Sequence, residues 1–216
     1  CAHGIERWKS DCGCSMGRAG WNQMWRGPLR QAFDWLRDEL IPHFERAGSE
    51  LFADPWAARD GYIDVLLDRT PERIDIFLAR HSRSSLSPAQ VTRALKLMEL
   101  QRHAMLMYTS CGWFFDELSG IETVQVIQYA ARCVQLAEEL FDLRLEDGFR
   151  ERLALARSNL PEYCDGKCIY DKSVKPSMVD LTKVGAHYAV SSLFHAEGER
   201  TRIYAFEVER EDLHLY

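Results

Sequence analysis

Thr109-Ser110-Cys111-Gly112-Trp113-Phe114-Phe115-Asp116-Glu117-Leu118-Ser119-Gly120-Ile121-Glu122 is the stretch on which the reading of the fold turns. It places a cysteine, a glycine, three adjacent aromatics and two carboxylates where a turn alone would connect two helices. Ser119 and Glu122 have capping-box spacing: the Ser side chain takes the backbone N–H three residues on and the Glu side chain reaches back. A helix is therefore expected to start near Gly120. Upstream, Val91, Leu95, Met98, Arg102 and Met105 recur at helical spacing, and Ala94, Leu97 and Met107 widen the apolar stripe. Downstream, Val124, Ile127, Ala130, Ala131, Val134, Ala137 and Phe141 do the same. The stretch is the elbow of a helix pair.

Working outward, residues from Trp21 to about Phe52 carry one stripe of Trp25, Leu29, Ala32, Phe33, Leu36, Leu40 and Phe44, with Trp35 beside it. Pro28 and Pro42 are expected to start or bend that helix. Trp21, Trp25 and Trp35 are read as core or interface. Asp54-Pro55 and Thr70-Pro71 place an N-cap residue before a proline, and Ser87-Pro88-Ala89-Gln90 adds a capping-box Gln, so three more helices start there. Beyond the elbow, Glu146 to Leu160 reads as helix. Asn159 to Pro176 reads as an irregular connection around Pro161, Gly166 and the Cys164-Asp165-Gly166-Lys167-Cys168 turn. Val179 to Phe194 reads as a helix capped by Asp180, with His187, Val190, Ser191 and Phe194 on one face. Arg202 to Glu209 alternates, with Tyr204, Phe206 and Val208 on one side, which is a strand signal. The expected fold is mainly α, a helical bundle with a short β element near the C-terminus. It divides into an N-terminal loop segment over 1–20 that docks on the bundle, an α-helical domain over 21–195 and a short β segment over 196–216.

With 216 residues and 46% hydrophobic content, the chain can bury a substantial core. The net charge of −6 comes from 27 basic and 33 acidic residues without a basic block, which argues against a nucleic-acid partner. No run of about 18 apolar residues is present, so no membrane span is expected. The chain starts at Cys1 and ends at Tyr216 inside an alternating pattern, and is read as a domain of a longer polypeptide. Seven cysteines, an odd number, fit a reducing cytoplasm better than a disulfide framework, and Cys133 is read as core filling.

The segment Cys1-Ala2-His3-Gly4-Ile5-Glu6-Arg7-Trp8-Lys9-Ser10-Asp11-Cys12-Gly13-Cys14 has no period and is rich in side chains that can bind. Two chemistries compete here. The first is sugar binding, in which an aromatic face packs against a pyranose while carboxylates and arginine take its hydroxyls. Glu6, Arg7, Trp8, Asp11, Trp113, Asp116 and Glu117 supply that set. Phe114 and Phe115 are read as core, and Asp116 with Glu117, adjacent in sequence, are not read as a glycosidase dyad. The second is metal binding: His3, Cys12 and Cys14, with Cys1 or Cys111 as a fourth ligand, match the N/S set of zinc, although Cys-x-Cys is tighter than the usual pair. His103 is read as an interior or surface histidine rather than a base. The N-terminal loop and the elbow are expected to lie against each other, because the loop cannot hold itself together and the elbow offers aromatic faces and helix-end backbone groups. That docking would bring Cys111 near Cys12 and Cys14, and removal of a partner domain from this face would leave an apolar patch around Trp8 and Trp113.

Residues 1–8, the Ser10-Asp11-Cys12-Gly13-Cys14 run, Thr109 to Glu117 and Tyr129-Ala130-Ala131-Arg132 together resemble the C-terminal helical domain, a domain of unknown function, of glycoside hydrolase family 57-like proteins. The resemblance covers nearly the whole chain, and two of the motifs combine rare residues over about ten positions each. It implies a catalytic (β/α) barrel before Cys1, which would hold the nucleophile and the general acid of α-glucan chemistry, and a helix elbow that borders the sugar cleft. Trp113 matches the family's elbow tryptophan. Cys111-Gly112 stands where an acidic residue is expected, which sets the chain apart from ordinary amylase-type specificity. Two function classes follow. One is a cleft-completing domain of a carbohydrate-acting enzyme that is inactive as this fragment and has no cofactor of its own. The other is a metal- or thiol-containing, or purely structural, interaction domain, with zinc as the possible ion.

Overall fold

The computed structural model describes residues 2–194, 198–203 and 206–212. They fall into two compact units, residues 1–176 and 177–216. The chain is mainly α-helical, with a small two-stranded antiparallel sheet near the C-terminus.

The first unit is a helical bundle. Helix α1 (Arg26–Leu51) runs through Pro42 without a break and buries Leu29, Ala32, Phe33, Leu36, Leu40 and Phe44, the expected stripe. Asp54 caps α2 (Pro55–Gly61) by accepting from Trp56 N and Ala57 N. After the short α3 (Ile63–Leu67), α4 (Pro71–His81) follows Thr70, whose hydroxyl makes no cap bond. Helix α5 (Pro88–Leu106) opens on a full capping box between Ser87 and Gln90. Its buried face is Ala94, Leu97, Met98, Gln101 and Ala104, rotated from the expected stripe, so Met105 is 52% exposed. Helix α6 (Ile121–Phe141) packs on α5 over a long interface and buries Ile127, Ala130, Ala131, Val134 and Ala137 as expected. Cys133 is core, its thiol directed at Leu100 O.

The expected capping box at the start of α6 does not form. Gly120, which has no side chain to accept a bond, is the N-cap, and the Ser119 N–H goes to Glu117 Oε1 instead of Glu122. Helix α7 (Glu146–Leu153) is shorter than expected. The chain turns off at Ala154, and Ala156 O accepts from Gly166 N instead of continuing the helix. The connection down to Pro176 is a series of short helical turns, including α8 (Gly166–Ile169) capped by Asp165 and a π turn over Tyr170–Val174.

The second unit contains α9 (Leu181–Ser191), capped by Asp180 as expected, and a hairpin rather than one strand: β1 (Arg200–Ile203) pairs with β2 (Phe206–Glu209) in antiparallel register. In β2, Phe206 and Val208 are half-buried while Glu207 and Glu209 are exposed, which matches the alternation read from the sequence. Tyr204 and Tyr216 lie outside the described residues.

Candidate functional site

The N-terminal loop is laced to the elbow. A single 3-10 turn, Glu6–Trp8, aims the Trp8 indole N–H at Ser110 O (3.3 Å), and Arg30 Nη1 donates to Trp8 O (3.2 Å). The Arg7 guanidinium sits 4.9 Å above the Phe114 ring, a cation–π contact. Further along, Met16 N donates to Asp116 Oδ2 (2.5 Å). Asp11 Oδ1 accepts from Gly13 N (2.9 Å), and Gly13 has φ 75°, a left-handed conformation that glycine adopts without a steric penalty. The elbow itself closes tightly. Ser110–Trp113 form a 3-10 turn, and a Cβ at Gly112 would sit 2.6 Å from Val126 Cγ2, so only glycine lets this turn approach α6.

That close approach turns Trp113 inward. It is fully buried, stacked on Trp25 (6.4 Å between centroids, 17° between planes) and edge-on to Phe33 (5.9 Å, 86°). Trp113 is therefore a core residue and offers no face to a sugar, which corrects its reading as a binding residue and the expected apolar patch around it. Phe114 reverses the other way: read as core, it is 51% exposed. Asp116 and Glu117 are also inside rather than at a surface. Glu117 is a three-way staple that accepts from Ser119 N (3.2 Å), Ser158 Oγ and Asn159 N (2.9 Å). The backbone carbonyl of Asp116 accepts from Trp25 Nε1 and Asn159 Nδ2. Of the other residues singled out, Glu6 and Asp11 are exposed and Arg7 and Trp8 are half-buried.

Arg26 is the residue that the sequence reading missed. It is fully buried and donates Nη2 to Phe115 O (3.0 Å). Burial holds its guanidinium below the ordinary value and Arg7 adds to the effect, while Cys12, Asp116 and Asp11 oppose it. Its signal was present in the sequence: Arg26, Leu29 and Phe33 fall on one helix face at spacings of three and four. Among the described residues, Arg26 Nε and Nη1, Arg7 Nε, Gln23 Nε2, Trp113 Nε1 and Asp116 Oδ1 are buried without a hydrogen-bond partner. Each such group carries a desolvation cost of about 1–3 kcal/mol when it stays without a partner.

Beside it, the ligand atoms of His3, Cys12 and Cys14 lie within 4.8 Å of one another, with Cys14 Sγ 3.5 Å from His3 Nδ1. Burial pushes the Cys12 thiol up, but hydrogen bonds from the Cys14 backbone and side chain, the charge of Arg26 and a bond from Arg7 outweigh it, and the thiol ends below its ordinary value. Cys111 is exposed and is not a member of this group, contrary to expectation. Cys1 lies outside the described residues.

The family described as Domain of unknown function (DUF3536) matches residues 21–216. The chain belongs to that family. No curated protein and no solved structure matches it. Within the DUF3536 match lie the elbow, Arg26 and the Glu117 staple; the loop that carries His3, Glu6, Arg7, Trp8, Asp11, Cys12 and Cys14 precedes it. No helix among the described residues is long and apolar enough to cross a membrane.

Proposed function

We propose that this DUF3536 chain is the helical domain of a glycoside hydrolase family 57-like protein, and that the face built from its N-terminal loop and elbow borders an α-glucan cleft beside a preceding (β/α) barrel. One observation carries the reading. Loop and elbow, 102 residues apart at their Trp8–Ser110 bond, are joined so that Arg7, Trp8 and Phe114 form a half-open aromatic and cationic surface, flanked by the exposed carboxylates of Glu6 and Asp11. Ring faces of this kind pack on the apolar side of a pyranose, and the charged groups take its hydroxyls. The motifs that resemble those of family 57-like proteins run through the same two segments.

In this reading the chain binds and orients, and bond cleavage belongs to the barrel. Asp116 and Glu117 hold the loop and the elbow in place, and Trp113 supports them from the core. The thiols that stand exposed, Cys111 and Cys164, suit a reducing compartment such as the cytoplasm. In the polypeptide that carries both domain and barrel, Trp8→Ala and Phe114→Ala are each expected to raise KM for maltooligosaccharides about tenfold, which corresponds to ~1.4 kcal/mol of lost contact. An unchanged KM in both variants overturns the proposal.

A further inference from the structure

We propose that His3, Cys12 and Cys14 form a binding site for a thiophilic divalent cation of the zinc class. The spacing supports it. A tetrahedral ion with bonds of about 2.3 Å to sulfur and about 2.0–2.1 Å to nitrogen requires S···N edges near ~3.6 Å and S···S edges near ~3.8 Å. Cys14 Sγ and His3 Nδ1 are already 3.5 Å apart, and all three ligand atoms fit within 4.8 Å. Little rearrangement separates that triangle from a coordination shell.

The local backbone prepares the same geometry. Gly13, in the left-handed region between the two cysteines, is held by the Asp11 side chain, and this turn sets both thiols toward the His3 ring. Two thiolates and a neutral imidazole around a doubly charged ion give a neutral group. Such a group can sit beside buried Arg26 and half-buried Arg7 without adding to their positive charge. The inference does not depend on the carbohydrate reading, since it concerns a separate donor set.

Cobalt(II) titration of the whole chain tests it. Thiolate-to-metal charge-transfer bands saturating at one ion per chain are expected, weakened at least tenfold by His3→Ala, Cys12→Ser and Cys14→Ser. They should be unchanged in the Cys164→Ser/Cys168→Ser double variant. A second measurement needs no variant: zinc should slow alkylation of Cys12 and Cys14 at least tenfold while Cys111 and Cys164 react as before. Absence of thiolate bands, zinc-independent alkylation of Cys12 and Cys14, or bands lost only with Cys164 and Cys168 would overturn the site.

Discussion

The indole N–H of Trp8 donates to the carbonyl of Ser110 across 102 residues of chain, at 3.3 Å. That bond, with the Arg30 contact to Trp8 O and the Asp116 contact to Met16 N, converts a glycine-rich segment with no internal period into part of the site. The elbow gains partners for backbone groups at a helix end, and the loop gains a fixed course. The course of the loop therefore rests on how tightly the elbow is itself constrained.

Gly112→Ala tests that constraint. The added methyl would meet both γ carbons of Val126, at 2.6 and 2.7 Å, inside a packed helix junction. Overpacking of this kind costs about 1–3 kcal/mol, and at roughly 2–4 °C per kcal/mol for a chain of this size a clear fall in Tm is expected. Calorimetry reads it directly. A variant as stable as the wild type would mean that the turn is free to shift away from α6.

Glu117→Gln should be costly although it removes only a charge. The carboxylate accepts from Ser119 N, Ser158 Oγ and Asn159 N, and an amide would turn one acceptor into a donor facing donors. A loss of about 1–3 kcal/mol is expected, read as a lower urea midpoint with an unchanged slope. Wild-type stability would contradict the staple role.

The helices were legible because local rules govern them. Asp54, Asp180 and the Ser87–Gln90 box cap as read, and the α1 stripe is buried as read. Ser119 failed as a cap because the helix begins one residue later, with Gly120 at the N-cap, and the side chain of Glu117, two residues upstream, takes the Ser119 N–H that Glu122 was expected to take. Local rules also fall short at Trp113 and Phe114: adjacent aromatics on a tight turn point to opposite sides, and which one faces inward depends on the approach of Val126 to Gly112. Arg26 was visible on the α1 face, but its charge argued against burial. The grouping of His3 with Cys12 and Cys14 follows from composition and one glycine turn, whereas Cys111 enters it only through the expected docking of loop on elbow, and it stands exposed outside the group.

Acidification should destabilise the bundle. Burial holds the His103 imidazole below its ordinary value of 6.5, and burial with the nearby Arg80 does the same to His81. The unfolded chain then binds protons before the folded chain does, so the stability present above about pH 6.5 is lost as the pH falls through the folded values. Chemical denaturation from about pH 7.5 down to about pH 5 should show a falling midpoint, less steep in His103→Gln. A midpoint that rises over this interval would contradict the assignment.

The chain alone should not hydrolyse α-glucans. Both carboxylates of the elbow are buried, with Glu117 engaged on both oxygens and Asp116 on Oδ2, so no acid and base face a common space there. Release of reducing sugar from starch by the purified chain, at a rate abolished by Glu117→Gln, would contradict this.

In the proposed function the loop and elbow face touches the sugar. Hydrogen–deuterium exchange of the polypeptide that carries domain and barrel, with and without a maltooligosaccharide, tests it most directly. Sugar-dependent protection is expected in residues 5–16 and 109–116, lost in Trp8→Ala. Protection confined to other segments, with these two exchanging at the same rate in both states, would contradict it.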